Sequence, residues 1–214
     1  MQARPDRCVE RRTGDLAHVE RLTGVSRLFE FARYPDPLAS NVAARWSALP
    51  ELVLDDVVTS IRRIDADVVL VEGAGGLHVR FGDTFALPDV ARRLEAPVLV
   101  VCSAGLGALN HTELTTSALS TAGVRCAGRV VAVDTRSRGS NHVSELTAVS
   151  GFRLLGRVPE GARSLARREF VDAAPPGLHT TSPNNCVAAR QLNSNSSKRV
   201  RSRESEAGFA DRSQ

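Results

Sequence analysis

One acidic residue, Glu72, stands where an apolar run meets a glycine-rich turn, in the order Val68-Val69-Leu70-Val71-Glu72-Gly73-Ala74-Gly75-Gly76. An apolar run without polar alternation is typical of a strand buried on both faces of a parallel sheet. The carboxyl end of such a strand lies where open α/β sheets bind ligands, and glycines let the backbone approach a phosphate. Glu72 is therefore a candidate magnesium ligand or water-holding group in a nucleotide site. An ordinary strand and turn with a solvated Glu72 is the alternative, because the pattern is weak by itself.

The composition limits the classes of protein to consider. The chain has 214 residues, enough for one α/β domain, and 42% of them are hydrophobic, as in globular proteins. No apolar run approaches the roughly 20 residues needed to span a bilayer. The first residues also lack the apolar core of a signal peptide, so we expect a cytoplasmic protein with no membrane contact. The four cysteines and five histidines are dispersed, which predicts no metal cluster of these residue types.

The distribution of charge divides the chain. The formal net charge is +4, but residues 1–178 are nearly neutral, so we expect no nucleic-acid partner. The segment 179–214 is poor in apolar residues, which predicts a disordered and dispensable tail. Its basic run Lys198–Arg203 could touch nucleic acid or an acidic surface, although its composition favours a solvated appendage. The predicted organisation is an irregular N-terminus over 1–13, an α/β domain over 14–178 and this tail.

The elements that position Glu72 alternate between strand and helix from Asp67 to Pro159, which is typical of βαβ units and a parallel sheet. The predicted strands are Val68–Val71, Pro97–Cys102, Arg129–Val133 and Leu154–Val158. The predicted helices are Asp15–Leu22, Leu38–Ala48, Leu52–Ile64, Thr84–Leu94, Leu109–Ala122 and Asn141–Val149. The fold class is therefore α/β, a mostly parallel sheet flanked by helices. No strand, glycine loop and helix precede Thr13, so the first β-loop-α unit of a nucleotide-binding sheet is predicted to be missing.

Four segments in order, Phe31–Pro37, Glu72–Gly76, Leu106–Thr112 and Gly156–Gly161, resemble the dethiobiotin synthetase family over roughly residues 14–178. The first looks like the family's substrate-side loop. The resemblance implies a P-loop NTPase-like or Rossmann-like fold and a cytoplasmic homodimer. It also implies a ligase that uses ATP and Mg²⁺ to join 7,8-diaminopelargonate and CO₂ into the ureido ring of dethiobiotin, a step of biotin biosynthesis that releases ADP and phosphate.

The resemblance also implies roles for particular residues. Asp15 and Glu72 would be magnesium ligands, since magnesium takes one or two carboxylates. The triphosphate would be lined by Glu72, Gly73, Ala74 and Gly75. The adenine would be flanked by Val158, Pro159 and Glu160. The substrate carboxylate would bind the backbone N–H groups of Leu109 and Asn110, across a dimer interface. Each has an alternative: Asp15 as a first-turn residue favoured by the helix dipole, Asn110 as an N-cap, and Pro159–Gly161 as a plain turn.

The chain departs from the family in its lysines. It contains no G-x-x-x-x-G-K-S/T loop, and its single lysine is Lys198. The family uses a lysine in that loop and a second lysine after the next strand, and arginine does not reproduce a compact ammonium charge. No catalytic residue is therefore assigned, and we expect weak binding of ATP and Mg²⁺ without independent turnover. The alternative function is a non-catalytic truncated remnant or a self-associating module.

Overall fold

The computed structural model describes residues 14–73, 75–103, 105–132, 153–173 and 186–190. The candidate site residue Ala74 and the predicted helix Asn141–Val149 lie outside these ranges. Six helices are described: α1 (Asp15–Thr23), α2 (Ser40–Trp46), α3 (Leu54–Arg62), α4 (Leu87–Leu94), α5 (Ala108–Thr121) and α6 (Arg167–Ala173). The described strands are β1 (Leu70–Glu72), β2 (Val98–Ser103), β3 (Cys126–Ala132), β4 (Leu154–Val158) and β5 (Cys186–Arg190).

The five strands form one sheet in the order β1-β5-β2-β3-β4. Every pair is parallel, which confirms the predicted α/β class with a mostly parallel sheet. Parallel neighbours need crossover connections, and helices α4 and α5 lie between β1, β2 and β3 along the chain. The carboxyl ends of the strands consequently point to one edge of the sheet. No helix of the described residues is long and apolar enough to cross a membrane.

The core lies on one face of the sheet. The side chains of Val98, Val100 and Cys102 alternate along β2 and are almost fully buried. They belong to one apolar cluster with residues from the neighbouring helices and loops, chiefly Ile61, Phe85, Leu87, Val90 and Leu119. Helices α3 and α4 pack together over this face, and α5 contacts both β2 and β3. The period-two burial of β2 shows that its other face is only partly covered.

The prediction that the first strand is buried on both faces is wrong. The strand begins at Leu70 rather than Val68, and the side chains of Leu70 and Glu72 are exposed while Val71 packs against the core cluster. Leu70 is 68% exposed. The physical reason is position: β1 is the edge strand of the described sheet, and helices α3 and α4 cover one face of that sheet. An apolar run indicates a strand but does not show which faces of that strand are covered by other elements.

The strand β5 departs from expectation more strongly. Residues 186–190 belong to the segment predicted to be a disordered tail, yet they form a strand between β1 and β2. Val187 is in register with Val71 on one side and with Val98 on the other. The disorder prediction therefore does not hold at these five residues, because β1 and β2 offer parallel backbone hydrogen-bond partners on both sides of them. The rest of 179–214 lies outside the described residues, and the domain boundaries stay a prediction.

Candidate functional site

Three of the predicted site segments follow the carboxyl ends of parallel strands. Glu72 ends β1, Leu109 and Asn110 come after β2, and Val158 ends β4. The strand register allows the positions of Glu72 and Val158 along the strand direction to be compared. Glu72 is level with Leu99 through β5, and Val158 is level with Ser103 through β3. Leu99 and Ser103 are four residues apart, about 13 Å along a strand. Glu72 is therefore set back from the end of β4 along the strand direction.

Glu72 and Val158 nevertheless share a face of the sheet. Residues in register on parallel strands point to the same side, and residues four apart on one strand do so too. The chain of register partners from Glu72 to Leu99 and from Ser103 to Val158 thus places both side chains opposite the core face. Val158 is 41% exposed and Glu72 is exposed. Both residues therefore lie on the face opposite the core, at opposite edges of the sheet, because β1 and β4 are the outer strands of the five and are about 19 Å apart.

The glycine turn after β1 has structural reasons for two of its glycines. Gly73 is buried, and a β-carbon there would lie 2.5 Å from Cζ of Phe81. Gly75 has a φ of 89°, and a β-carbon there would lie 2.8 Å from a methyl group of Val79. Gly76 differs, since a β-carbon at this position would meet no atom within 4 Å. Packing alone therefore accounts for glycine at 73 and 75, and Gly76 faces open space that a ligand could occupy.

Helix α5 starts one residue earlier than expected, and its first turn carries the candidate substrate site. The N-cap is Gly107, with a φ of 83° and no side-chain cap. The alternative interpretation of Asn110 as an N-cap is therefore wrong, because Asn110 is the third helical residue and its side chain is exposed. The backbone N–H of Ala108 donates to the carbonyl of Gly105. Leu109 and Asn110 follow within the first turn, where a helix leaves backbone N–H groups without intrahelical partners.

Asp15 is the first residue of α1 and is exposed. This position agrees with the alternative in which the helix dipole favours an acidic residue. The ring of His18, one turn further along, lies 3.0 Å from the Gly14 carbonyl through Nδ1. The helix ends at Gly24 in the left-handed conformation, as the sequence predicts. Whether Asp15 and Glu72 approach each other stays a prediction.

The segment after β4 forms a compact turn. Gly161, with a φ of 80°, precedes a 3₁₀ helix over Ala162–Ser164. The N–H of Ser164 donates to the Gly161 carbonyl at 2.8 Å. Pro159 and Glu160 are exposed at the start of this turn. We call residues 159–165 the base-side turn, because the resemblance implies that its first residues flank the adenine base.

The substrate-side loop is anchored at Tyr34. Its hydroxyl donates to the Pro50 carbonyl at 2.9 Å, which links the loop to the stretch before α3. Burial, and secondarily the charge of Glu51, raises the pKa of Tyr34 above its ordinary value. The hydroxyl therefore stays protonated and acts as a hydrogen-bond donor. Phe31, at the start of the same loop, is 41% exposed.

The donor chemistry of Asp15 and Glu72 fits magnesium, which prefers carboxylate oxygens and keeps most of its ligands as water and phosphate. Among the residues that the structure describes, no three His, Cys, Asp or Glu side chains gather into a metal centre. Asp15 and Glu72 would supply the one or two carboxylates that a magnesium–nucleotide complex takes. Two arginines of this region were not predicted from the sequence: Arg21 on α1, and Arg163, which contacts α1 from the base-side turn. Each binds a residue far away along the chain, and such a contact leaves no pattern in the sequence.

Comparison with known proteins first defines the class. The family model described as an AAA domain matches residues 4–166, which is more than half of the chain. The fold agrees with this class, since it consists of a parallel sheet with helices between its strands.

The particular family follows from individual relatives. The chain is 50% identical over 174 residues to the ATP-dependent dethiobiotin synthetase of Rhodococcus jostii, covering 78% of this chain and 75% of the relative. It is 49% identical over 170 residues to that of Rhodococcus erythropolis, with 75% and 74% covered. For the Streptomyces coelicolor protein of the same name, the identity is 45% over 170 residues, with 76% and 71% covered. The chain belongs to the dethiobiotin synthetase family.

Proposed function

We propose that this chain is a dethiobiotin-synthetase module that binds a magnesium–ATP complex weakly and does not complete the ligase reaction by itself. The observation that carries the proposal is the shared sheet face of Glu72 and Val158 at the ends of β1 and β4. The relatives bear the name ATP-dependent dethiobiotin synthetase. In this chain the same arrangement would hold the metal at Asp15 and Glu72 and the base at Val158, Pro159 and Glu160.

The expected loss of turnover rests on residue types. Ring closure requires phosphoryl transfer from ATP, and catalysis of this step consists mostly of positioning and of neutralising phosphate charge. The single lysine, Lys198, lies outside residues 4–166 that match the AAA domain family. The glycine turn Gly73–Gly76 can approach a phosphate, but it offers no cation of its own. Electrostatic groups aimed at a transition state each supply several kcal/mol, so their loss leaves binding without efficient chemistry.

The substrate would bind at the first turn of α5, next to the phosphates of the nucleotide. A carboxylate such as that of 7,8-diaminopelargonate suits the first turn of α5, where the backbone N–H groups of Leu109 and Asn110 are directed outward from the helix end. CO₂ would then be held between the amine and the phosphate. The exposed apolar residues Leu106 and Leu114 beside this turn, 102% and 60% exposed, favour covering by a second copy. This is the observation that favours a homodimer, and it also favours the second candidate, a self-associating module without catalysis.

A binding experiment tests the proposal. Thermal unfolding is measured with Mg²⁺ alone, ATP alone and both together, in the parent chain, in Glu72→Gln and in the matched control Asp56→Asn, an exposed carboxylate on α3. At ten times its Kd, a ligand raises the free energy of unfolding by about 1.4 kcal/mol. We expect this rise in the parent and in Asp56→Asn and its loss in Glu72→Gln. An equal rise in Glu72→Gln would remove Glu72 from the site.

A turnover experiment tests the expected loss of catalysis. ADP release is followed with ATP, Mg²⁺, bicarbonate and 7,8-diaminopelargonate, with the Rhodococcus jostii relative as positive control. We expect no diaminopelargonate-dependent ADP release from this chain. Turnover near the median for enzymes, about 10 per second, would show that arginine or backbone groups replace the lysines. Absence of nucleotide binding together with dimer formation would favour the self-associating module.

A further inference from the structure

One arginine of α1, Arg21, binds the backbone of the base-side turn. Nη1 of Arg21 donates to the Leu165 carbonyl at 2.8 Å, and Nη2 donates to the Arg163 carbonyl. The two bonds come from the two ends of one planar guanidinium and end on carbonyls two residues apart. Such a fork fixes both the distance and the orientation of the backbone that it binds. The side chain therefore joins segments that are more than 140 residues apart in the sequence.

A second contact runs in the opposite direction. Arg163 extends from the base-side turn to the ring of His18 on α1, with Nη2 at 3.0 Å from Nε2. Since Nδ1 of His18 lies 3.0 Å from the Gly14 carbonyl, the consistent arrangement has Nδ1–H donating to Gly14 and Nε2 accepting from Arg163. The helix thus binds the turn through Arg21, and the turn binds the helix through Arg163.

This junction lies between the two halves of the candidate nucleotide site. Asp15 is one helical turn from His18, about 4.5 Å along the helix axis. Glu160 is three residues from Arg163, so their α-carbons are at most about 11 Å apart. The candidate metal residue and the candidate base residues therefore attach to the same junction from opposite sides. Their separation depends on whether the turn stays against α1.

We propose that Arg21 is a positioning residue that sets the distance between the metal side and the base side of the nucleotide site. The inference rests on the proposed function, since it assigns Arg21 no contact with the nucleotide. With Arg21 in place, the base and the phosphates of one nucleotide reach their two sets of residues together. Without it the turn keeps only its other links to α1, through Arg163 and the packing of α6 on α1. We expect the base then to contribute less to binding while the phosphate side is unchanged.

The test compares ATP with inorganic triphosphate, which lacks the base and ribose. Affinities of both are measured with Mg²⁺ for the parent chain, Arg21→Gln and Arg62→Gln. Arg62 is the matched control, because its exposed side chain on α3 also donates to a distant backbone carbonyl, that of Arg93, which is not in the base-side turn. We expect the preference for ATP over triphosphate to fall about tenfold in Arg21→Gln and to stay constant in Arg62→Gln. A merely structural role would weaken both ligands equally.

Amide hydrogen exchange supplies a second measurement that needs no ligand. The N–H groups of Ser164 and Leu165 are hydrogen-bonded within the base-side turn, and they should exchange faster in Arg21→Gln and at the parental rate in Arg62→Gln. An unchanged ligand preference, or unchanged exchange at both amides, would overturn the inference while leaving the proposed function intact. Failure of the parent chain to bind ATP with Mg²⁺ would instead refute the proposed function on which the inference rests.

Discussion

Gly73 lies directly against the ring of Phe81, so that a β-carbon at position 73 would be 2.5 Å from Cζ of the ring and 3.3 Å from Cδ1 of Leu87. Phe81 in turn packs edge-to-face on Phe85, with ring centroids 6.1 Å apart. Phe85 is 2% exposed, so this aromatic pair belongs to the core. The residue directly after Glu72 therefore packs on the core, and this contact holds the end of β1 in place.

Replacing Gly73 with alanine should destabilise the fold. The added methyl group must displace Phe81, and overpacking of this kind costs about 1–3 kcal/mol. The matched control is Gly76→Ala in the same turn, where the added β-carbon meets no atom within 4 Å. Urea denaturation of the two variants measures the difference, which we expect to be confined to Gly73→Ala. Equal midpoints would show that Phe81 does not pack against the turn.

Stability should fall at alkaline pH through the buried thiol of Cys102. Burial raises the pKa of Cys102 above its ordinary value of 9.0, while a hydrogen bond with Thr112 and the charge of Arg129 act in the opposite direction. The thiol is thus neutral in the folded chain at a pH where the unfolded chain already ionises. Its contribution is complete below pH 9.0 and is lost as the pH rises through the folded-state pKa.

The measurement is the free energy of unfolding at about pH 8 and about pH 10. Cys102→Ala removes the thiol, and it lowers stability at both values because it leaves a small cavity. The expected result is a smaller decrease between the two values in the variant than in the parent. The same decrease in both chains would assign the alkaline loss to other groups.

Much of the sheet is predictable from the sequence. The strand Leu154–Val158 has the predicted bounds, and α1 ends before Gly24 because only glycine adopts a left-handed C-cap without strain. Helix α4 begins at Leu87 rather than Thr84, since Gly82 and Phe85 form an antiparallel bridge before it. Such a bridge depends on two backbone positions and leaves no periodic pattern in the sequence.

The site is less predictable than the sheet. The family motifs mark Glu72 and Val158 as candidate site residues, but their common face follows only from the register through β5 and β3. The tether of Arg21 has no sequence signal, because a side chain that donates to backbone carbonyls makes no demand on the residue types that carry them. The strand Cys186–Arg190 was not predicted, since five residues within a polar segment fall below what periodicity can resolve.

Shortening the chain tests β5. A chain that ends at Asn185 lacks the strand, whereas a chain that ends at Gln191 keeps it and loses the rest of the tail, including Lys198. Because β1 and β2 both pair with β5, we expect the shorter chain to lose several hydrogen bonds of about 1 kcal/mol each. Melting temperatures measured by circular dichroism should fall for the chain ending at Asn185 only. Identical melting of both would restore the expectation of a dispensable tail.

The exposed leucines beside α5 predict self-association. Leu106→Gln with Leu114→Gln removes two exposed apolar side chains, and each such side chain, when buried, contributes about 1.5–3 kcal/mol. The dimer dissociation constant, measured by sedimentation equilibrium, should rise at least about tenfold. Ser120→Ala, an exposed position on the same helix, is the control and should leave it unchanged. A monomeric parent chain would contradict the homodimer.

The place of β5 has a consequence for the order in which the molecule is made. Its register partners on β1 and β2 leave the ribosome long before residues 186–190. Because domains fold during synthesis from the N-terminal side, β1 on one side and β2 to β4 on the other keep unpaired strand edges until residues 186–190 have emerged. Contacts between segments so distant in sequence also form slowly. Nascent chains of this protein are therefore exposed to edge-to-edge aggregation, and chaperones that shield open strands should raise its yield.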